Sequence, residues 1–195
     1  MKNTGIIVLL VLALIFGFWG CGGYNGLVTA DQNVKKVWSN VETNYQRRMD
    51  LYNSVIKTIE GSANFEKSTL KEVIEARSKA TSVTVDVNDP KSLEAYQNAQ
   101  TQLQGSFSRL MAVAESYPDL KTTKAFQDFQ VQIEGTENRI NVARQDYNNS
   151  VQNYNLAVKI FPKNILAGLF GFKEKAYYKA DTDAEKSPDI HFNIK

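Results

Sequence analysis

Five charged residues lie inside otherwise apolar helical patterns, and their types suit acid–base chemistry or anion binding. Arg47 and Arg48 belong to one pattern, and Glu134, Glu137 and Arg144 belong to another. A carboxylate acts as a general acid or base when a cavity perturbs its pKa, and arginines can hold an anion. Charges at the seam of a helical bundle more often pair across it and fix its register. We therefore predict an interhelical polar cluster in which one of the two neighbouring arginines meets one of the two glutamates.

The composition removes most other chemistry. The 195 residues include one cysteine and one histidine, His191, which is too few for a zinc site or a disulfide framework. The 23 basic and 21 acidic side chains give a formal charge of +2, so the chain lacks the basic field that nucleic-acid binding needs. We expect no catalytic residues, no metal, no cofactor and no nucleic-acid partner.

Four stretches must position these charges, and in each of them apolar or aromatic residues recur every three or four positions. This spacing is typical of helices packed on helices. It predicts a helix at about 24–60 after a break at Gly22 and Gly23, a second at about 66–82, a third that Asp89 caps and Tyr117 and Pro118 end, and a longest one that Phe161 and Pro162 close. The result is an all-α fold. Asn148 and Asn155 of the last helix are expected to bond locally or to be solvated.

An apolar run over residues 5–20 precedes the bundle and extends through 23 to about nineteen residues, which reach about 28 Å as a helix and span a hydrocarbon core. The residues expected to form this membrane anchor are Gly5, Ile6, Leu9, Leu12, Phe16 and Trp19. An uncleaved single span is the favoured interpretation. A lipoprotein signal ending at a lipid-bearing Cys21, or another cleavage, is the alternative. By the positive-inside rule, Lys2 slightly favours a bundle outside the cytoplasm, which leaves the side of the membrane uncertain.

The helix lengths predict where the C-terminal segment emerges. The last helix, about 60 Å long, returns beside the first and ends near the lipid surface, below a stalk of only two helices. The apolar segment at residues 164–172 then inserts shallowly or caps the end of the stalk, and the sequence leaves both open. The residues expected to insert in the first case are Leu166, Leu169, Phe170 and Phe172. In the first case Lys163, Lys173 and Lys175 would meet anionic headgroups.

Several strings resemble the successive motifs of the LemA family. They are YNGLV at 24–28, QRRMDL at 46–51, RLMAV at 109–113, YPDLK at 117–121, EGTENRI at 134–140, ARQDYN at 143–148 and FGFK at 170–173. The resemblance implies a bacterial, membrane-anchored, bromodomain-like four-helix bundle, antiparallel and up-and-down, with two long outer helices, and it implies no enzymatic activity. This chain lacks the proline that the family carries soon after the paired arginines, which predicts a straighter first helix.

The function expected from these features is that of a non-enzymatic scaffold or protein-interaction module in the bacterial envelope. Its partners would be membrane lipid and either another protein or a second copy of the chain. The alternatives are a hydrolase-like enzyme that uses the Glu/Arg cluster and a lipid-anchored envelope lipoprotein. The expected division is an anchor at 1–23, a helical bundle at 24–162 and an apolar segment with a tail at 163–195.

Overall fold

The computed structural model describes residues 2–61 and 67–179, and all the regular structure in these ranges is helical. The tail beyond 179, which contains His191, and the segment at 62–66 lie outside the described residues. The helices are α1 (Lys2–Glu60), α2 (Lys67–Ser82), α3 (Pro90–Ala114), α4 (Pro118–Lys121), α5 (Lys124–Lys159) and α6 (Lys163–Phe170). The predicted all-α bundle with two long helices is therefore confirmed.

Helix α1 runs without interruption from the apolar segment into the bundle, so the predicted break at Gly22 and Gly23 is wrong. Two glycines cost a helix interior only about 1 kcal/mol each, which the packing of such a long helix can offset. Gly23 instead allows a close approach: a Cβ atom there would lie 2.5 Å from the Leu166 Cδ1 atom of α6. It is needed for packing and does not end the helix.

The apolar part of α1 is exposed on every side that the structure describes. In the helix portion from Ile7 onward, the most apolar stretch of 18 residues has a mean hydropathy of 2.1, and only 6% of that stretch is buried. By length and composition, α1 is the one described helix able to cross a membrane. Leu9 and Leu12 are 69% and 49% exposed, and the side chains of Ile6 and Phe16 lie outside the described part.

Helices α1 and α5 form the antiparallel pair at the centre of the fold, and aromatic residues fill the seam between them. Trp38 packs edge-on against Tyr147 with ring centroids 5.1 Å apart. Farther from the apolar end, Tyr52 stacks on Phe107 of α3 at 3.5 Å. All four side chains are buried, as their spacing in the sequence predicts.

Helices α2 and α3 cover the antiparallel pair from about Trp38, against which Tyr96 of α3 packs edge-on, to the end far from the apolar segment. One core cluster joins residues 49–59 of α1 to α2, α3, α4 and the start of α5. The start of α3 is set as predicted, because the Asp89 side chain accepts a hydrogen bond from the Lys91 amide and Pro90 occupies the first turn. Thr123 caps α5 in the same way by accepting from the amide of Phe126.

The part of the fold next to the apolar end, expected to be a stalk of two helices, contains α6 and an extended segment as well as α1 and α5. Helix α6 packs on both α1 and α5, and Gly171, with φ of +75°, ends it in the left-handed conformation that glycine adopts readily. Residues 172–179 then run back along α5, away from the apolar end, and Tyr178 joins the core beside Tyr45. We call residues 172–179 the return segment.

Candidate functional site

Arg48 lies at the centre of the bundle with only 1% of its surface exposed, which is rare for a charged residue. Its Nη1 donates to the Glu137 carboxylate at 3.3 Å, and its Nη2 donates to Gln100 Oε1 at 2.6 Å. The guanidinium also lies over the Tyr45 ring, 4.6 Å from the centroid. Three helices thus meet at one cation.

Of the four residues expected to pair, the structure brings Arg48 and Glu137 together. Arg47 and Glu134 take no part in this contact. Glu137 is mostly buried and lies 3.5 Å from the Tyr52 hydroxyl. Burial raises the pKa of Tyr52, and so does Glu137, so the hydroxyl stays protonated and can donate. Arg47 and Glu134 are exposed. The cluster is a buried interhelical pair, and neither Arg48 nor Glu137 lines the grooves described below.

Arg144 forms a second polar layer closer to the apolar end. Its guanidinium donates to the Tyr45 hydroxyl, 2.9 Å from Nε, and lies over the Tyr178 ring at 4.6 Å. The two tyrosine hydroxyls are hydrogen-bonded to each other. Burial is the main cause that raises the pKa of Tyr178, so its hydroxyl stays protonated at neutral pH.

Two asparagines of α5 bind the backbone of the return segment, a role that sequence analysis missed. Asn155 donates to the Lys175 carbonyl at 2.9 Å and accepts from the Lys175 amide at 2.8 Å. Asn148 makes the same pair of bonds with Tyr178, at 2.9 and 2.7 Å. The signal in the sequence is their spacing of seven, which places both on one face of a helix opposite a segment with no helical pattern.

Lys175 ties the return segment to α1 through a buried ion pair. Its ammonium lies 2.7 Å from Asp31, and the lysine side chain is 1% exposed. Burial alone would raise the pKa of Asp31, but hydrogen bonds and charge from Lys175 and Lys35 outweigh it and hold that pKa below its usual value. The expectation that Lys175 meets lipid headgroups is therefore wrong, because its charge is already paired inside the fold.

An open groove follows the outer face of α1 and α5, on a side that neither α2 nor α3 covers. The part of the groove far from the apolar end has a volume of about 630 Å³, and the part closer to that end has a volume of about 400 Å³. Arg139 lines both parts. The charged residues along it are Arg47, Asp50, Arg139 and Asp146. Val131 and Val142 of α5 are 71% and 51% exposed and line it too. We call this surface the outer groove.

The expected membrane-interface residues divide between two environments. Leu166 is buried in a small cluster with Leu27, whereas Leu169 and Phe170 are 75% and 55% exposed. Phe172 is half-buried and packs edge-on against Tyr24, with ring centroids 5.9 Å apart. The segment therefore caps the bundle with one face and exposes the other.

Cys21 is exposed on α1, within the continuous helix and beside α6. Trp19 and Gly5 are exposed too. Among the described residues no cluster of histidine, cysteine, aspartate or glutamate has the arrangement of a metal site.

A family model described as the LemA family matches residues 37–192, which is most of the chain. The chain belongs to the LemA family. The match takes in both arginines of α1, the EGTENRI string of α5 and the return segment, so the polar layers around Arg48 and Arg144 lie within the family region, whereas Asp31 precedes it. The resemblance seen in the sequence is confirmed.

Relatives from two organisms match most of this chain. Magnetosome protein MamQ 2 and Magnetosome protein MamQ 1 of Paramagnetospirillum magneticum are each 26% identical over 175 residues, and Magnetosome protein MamQ of Magnetospirillum gryphiswaldense is 26% identical over 174. Each match covers 80% of this chain and 64% of the relative, so the chain spans just under two-thirds of their length. Neither the family description nor these names specify a reaction. With the apolar helix, they describe a membrane-associated helical protein.

Removing the glutamate of the buried pair tests the polar cluster. We expect Glu137→Leu to lower the free energy of unfolding by about 3 kcal/mol, because it leaves the buried Arg48 without a counter-charge. Glu134→Leu, one turn away and exposed, should change it by less than about 0.5 kcal/mol. Adding Arg48→Met to Glu137→Leu should restore most of the loss. Denaturant unfolding of the full chain in detergent measures all three, and equal effects at 134 and 137 would contradict the pair.

The lowered pKa of Asp31 predicts an acid-dependent contribution to stability. A depressed carboxyl pKa stabilises the fold above the unfolded value of about 3.9, and this contribution is lost as the pH falls through the folded pKa. We expect Asp31→Asn to cost about 2 kcal/mol at pH 7 and to weaken the loss of stability on acidification. Lys35→Met, which removes the exposed lysine on the same carboxylate, is the control with a small effect. An unchanged acid profile in Asp31→Asn would refute the assignment.

Proposed function

We propose that this protein is a membrane-anchored, non-enzymatic scaffold of the bacterial envelope that presents its outer groove to a protein partner. The observation that carries the proposal is the continuity of α1, which is exposed and apolar near its start and central to the bundle farther on. One helix in both roles holds the bundle at a set height and direction. In this account residues 1–23 are the anchor and the bundle stands directly on them.

The polar layers inside the bundle support a scaffold, because they hold the two long helices in one register. A shift of α5 by one turn would move Glu137 about 5 Å along Arg48 and would also separate Arg144 from Tyr45. Buried charges that lose their partners are costly, so only one alignment satisfies them all. The exposed face of α1 and α5 therefore has a fixed pattern that a partner can recognise.

The chemistry of the outer groove points to an amphipathic helix of another protein as the partner. The groove runs between two antiparallel helices that lie side by side, which is the shape that a third helix fills. Val131 and Val142 offer apolar contact, and Arg47, Asp50 and Arg139 offer both signs of charge at its edges. Such a surface favours a partner with an apolar stripe and charges of both signs.

The alternatives receive less support from the geometry. An enzyme would need the Glu/Arg cluster beside an open cavity, but neither Arg48 nor Glu137 lines the outer groove. A lipoprotein would need α1 to be cut just before Cys21, within an unbroken helix. Labelling of the cells with a fatty acid analogue that disappears in Cys21→Ser would favour that second alternative.

Site-specific photo-crosslinking in cells tests the scaffold. A photoreactive amino acid at 131 or 142 should give one discrete adduct with another protein, and Arg139→Glu should remove it by reversing a charge in the groove. The matched control is position 74 on α2, where Ile74 is also apolar and exposed, and it should not give that adduct. Identical neighbours at all three positions would contradict the proposal. An adduct of two copies of this chain would replace the partner with self-association.

A further inference from the structure

Helix α6 has one face in the protein and one face outside it. Leu166 and Ala167 are buried against Leu27 of α1 and the end of α5. Three large apolar side chains of the same helix are exposed: Ile165 at 58%, Leu169 at 75% and Phe170 at 55%. Three large apolar side chains on a helix of eight residues are unusual on a surface that only water covers.

The position of α6 along α1 shows what lies beside the exposed face. Leu166 packs on Gly23, and the rings of Phe170 and Tyr24 are 4.8 Å apart. The groove between the two helices, about 450 Å³, extends to Gly20 and Gly17 of α1. Gly17 is about 9 Å nearer to the start of the helix than Gly23 and lies inside the apolar run. The C-terminal half of α6 therefore lies beside the end of the candidate membrane span that adjoins the bundle.

Charged and aromatic residues around α6 fit the headgroup level. Lys163 at its start has its ammonium against Gly26, beyond the apolar run, and Lys173 follows its end. Both lysines are exposed, unlike Lys175. The exposed Phe161 just before α6 extends the apolar surface. Apolar side chains bordered by lysines are the pattern of a helix that lies in a membrane interface.

We propose that α6 is an interfacial helix that inserts its exposed face into the leaflet from which α1 emerges. Leu169 and Phe170 contact the upper acyl chains, and Lys163 and Lys173 reach the headgroups. The inference rests on the proposal that α1 crosses the membrane. It adds a second point of attachment, so that the return segment links the lipid surface to the core through Asn155 and Asn148. The bilayer thus restricts the tilt and rotation of the bundle as well as its height.

Depth-dependent fluorescence quenching tests the insertion in the full chain, reconstituted in liposomes of phosphatidylcholine and phosphatidylglycerol. Cys21→Ser removes the native thiol, and an environment-sensitive dye is attached through Leu169→Cys. Lipids with a spin label near the carbonyl end of the acyl chain should quench this dye several-fold more than aqueous iodide does. The same dye attached through Ile74→Cys should show the reverse order.

The outcomes separate the insertion from the anchor on which it rests. A protein that does not float with the liposomes overturns both. A protein that floats but whose dye at 169 is quenched mainly by iodide overturns the insertion alone. Protection from both quenchers would mean that protein, such as a second copy, covers α6, and this also overturns the proposal.

Neighbouring substitutions separate insertion from a role in the core. Leu169→Ser should leave the melting temperature of the full chain in detergent unchanged, because the side chain makes its contacts with lipid. Leu166→Ser should lower it by several degrees, since Leu166 packs on Gly23 and Leu27. An equal loss at 169 would place Leu169 in the core and contradict the proposal.

Discussion

Helix α1 combines an exposed apolar part and a part packed inside the bundle along one axis, and the rest of the structure depends on this combination. Its first part is apolar on all described sides, whereas its later part has a single apolar stripe that faces α5. Because the backbone hydrogen bonds continue past Gly22 and Gly23, these two parts share one direction. The other described helices are positioned relative to this helix either directly or through α3 and α5, and the membrane account follows from that continuity.

Buried polar groups then select one arrangement of the elements around α1. Arg48 requires Glu137 and Gln100, while Lys175 requires Asp31. Neither pair is a strong source of net stability, since each must first be removed from water. Their effect is on specificity, because a shifted register would strand a charge in the core. The asparagines of α5 do the same for the return segment, whose backbone groups they pair.

The sequence predicts α2, α3 and α5 well because the apolar spacing is regular and the cap at Asp89 follows ordinary rules. It predicts an arginine–glutamate contact but not which members meet, since the choice between Arg47 and Arg48 depends on a rotation of about 100° around the helix. The predicted break at Gly23 is wrong because a local helix propensity cannot show that Leu166 packs against this glycine. The return segment has no periodic pattern, so its contacts with α5 and Asp31 are visible only once distant parts of the chain are placed together.

The central claim is that α1 is one straight connection between membrane and bundle, and a distance measurement across its glycines tests it most directly. Spin labels at positions 9 and 46, in a Cys21→Ser chain in lipid nanodiscs, are separated by roughly 37 residues of helix, or about 55 Å. The account predicts a single narrow distance distribution near that value. A broad or clearly shorter distribution would mean that Gly22 and Gly23 form a hinge, and the bundle would then have no fixed direction on the membrane.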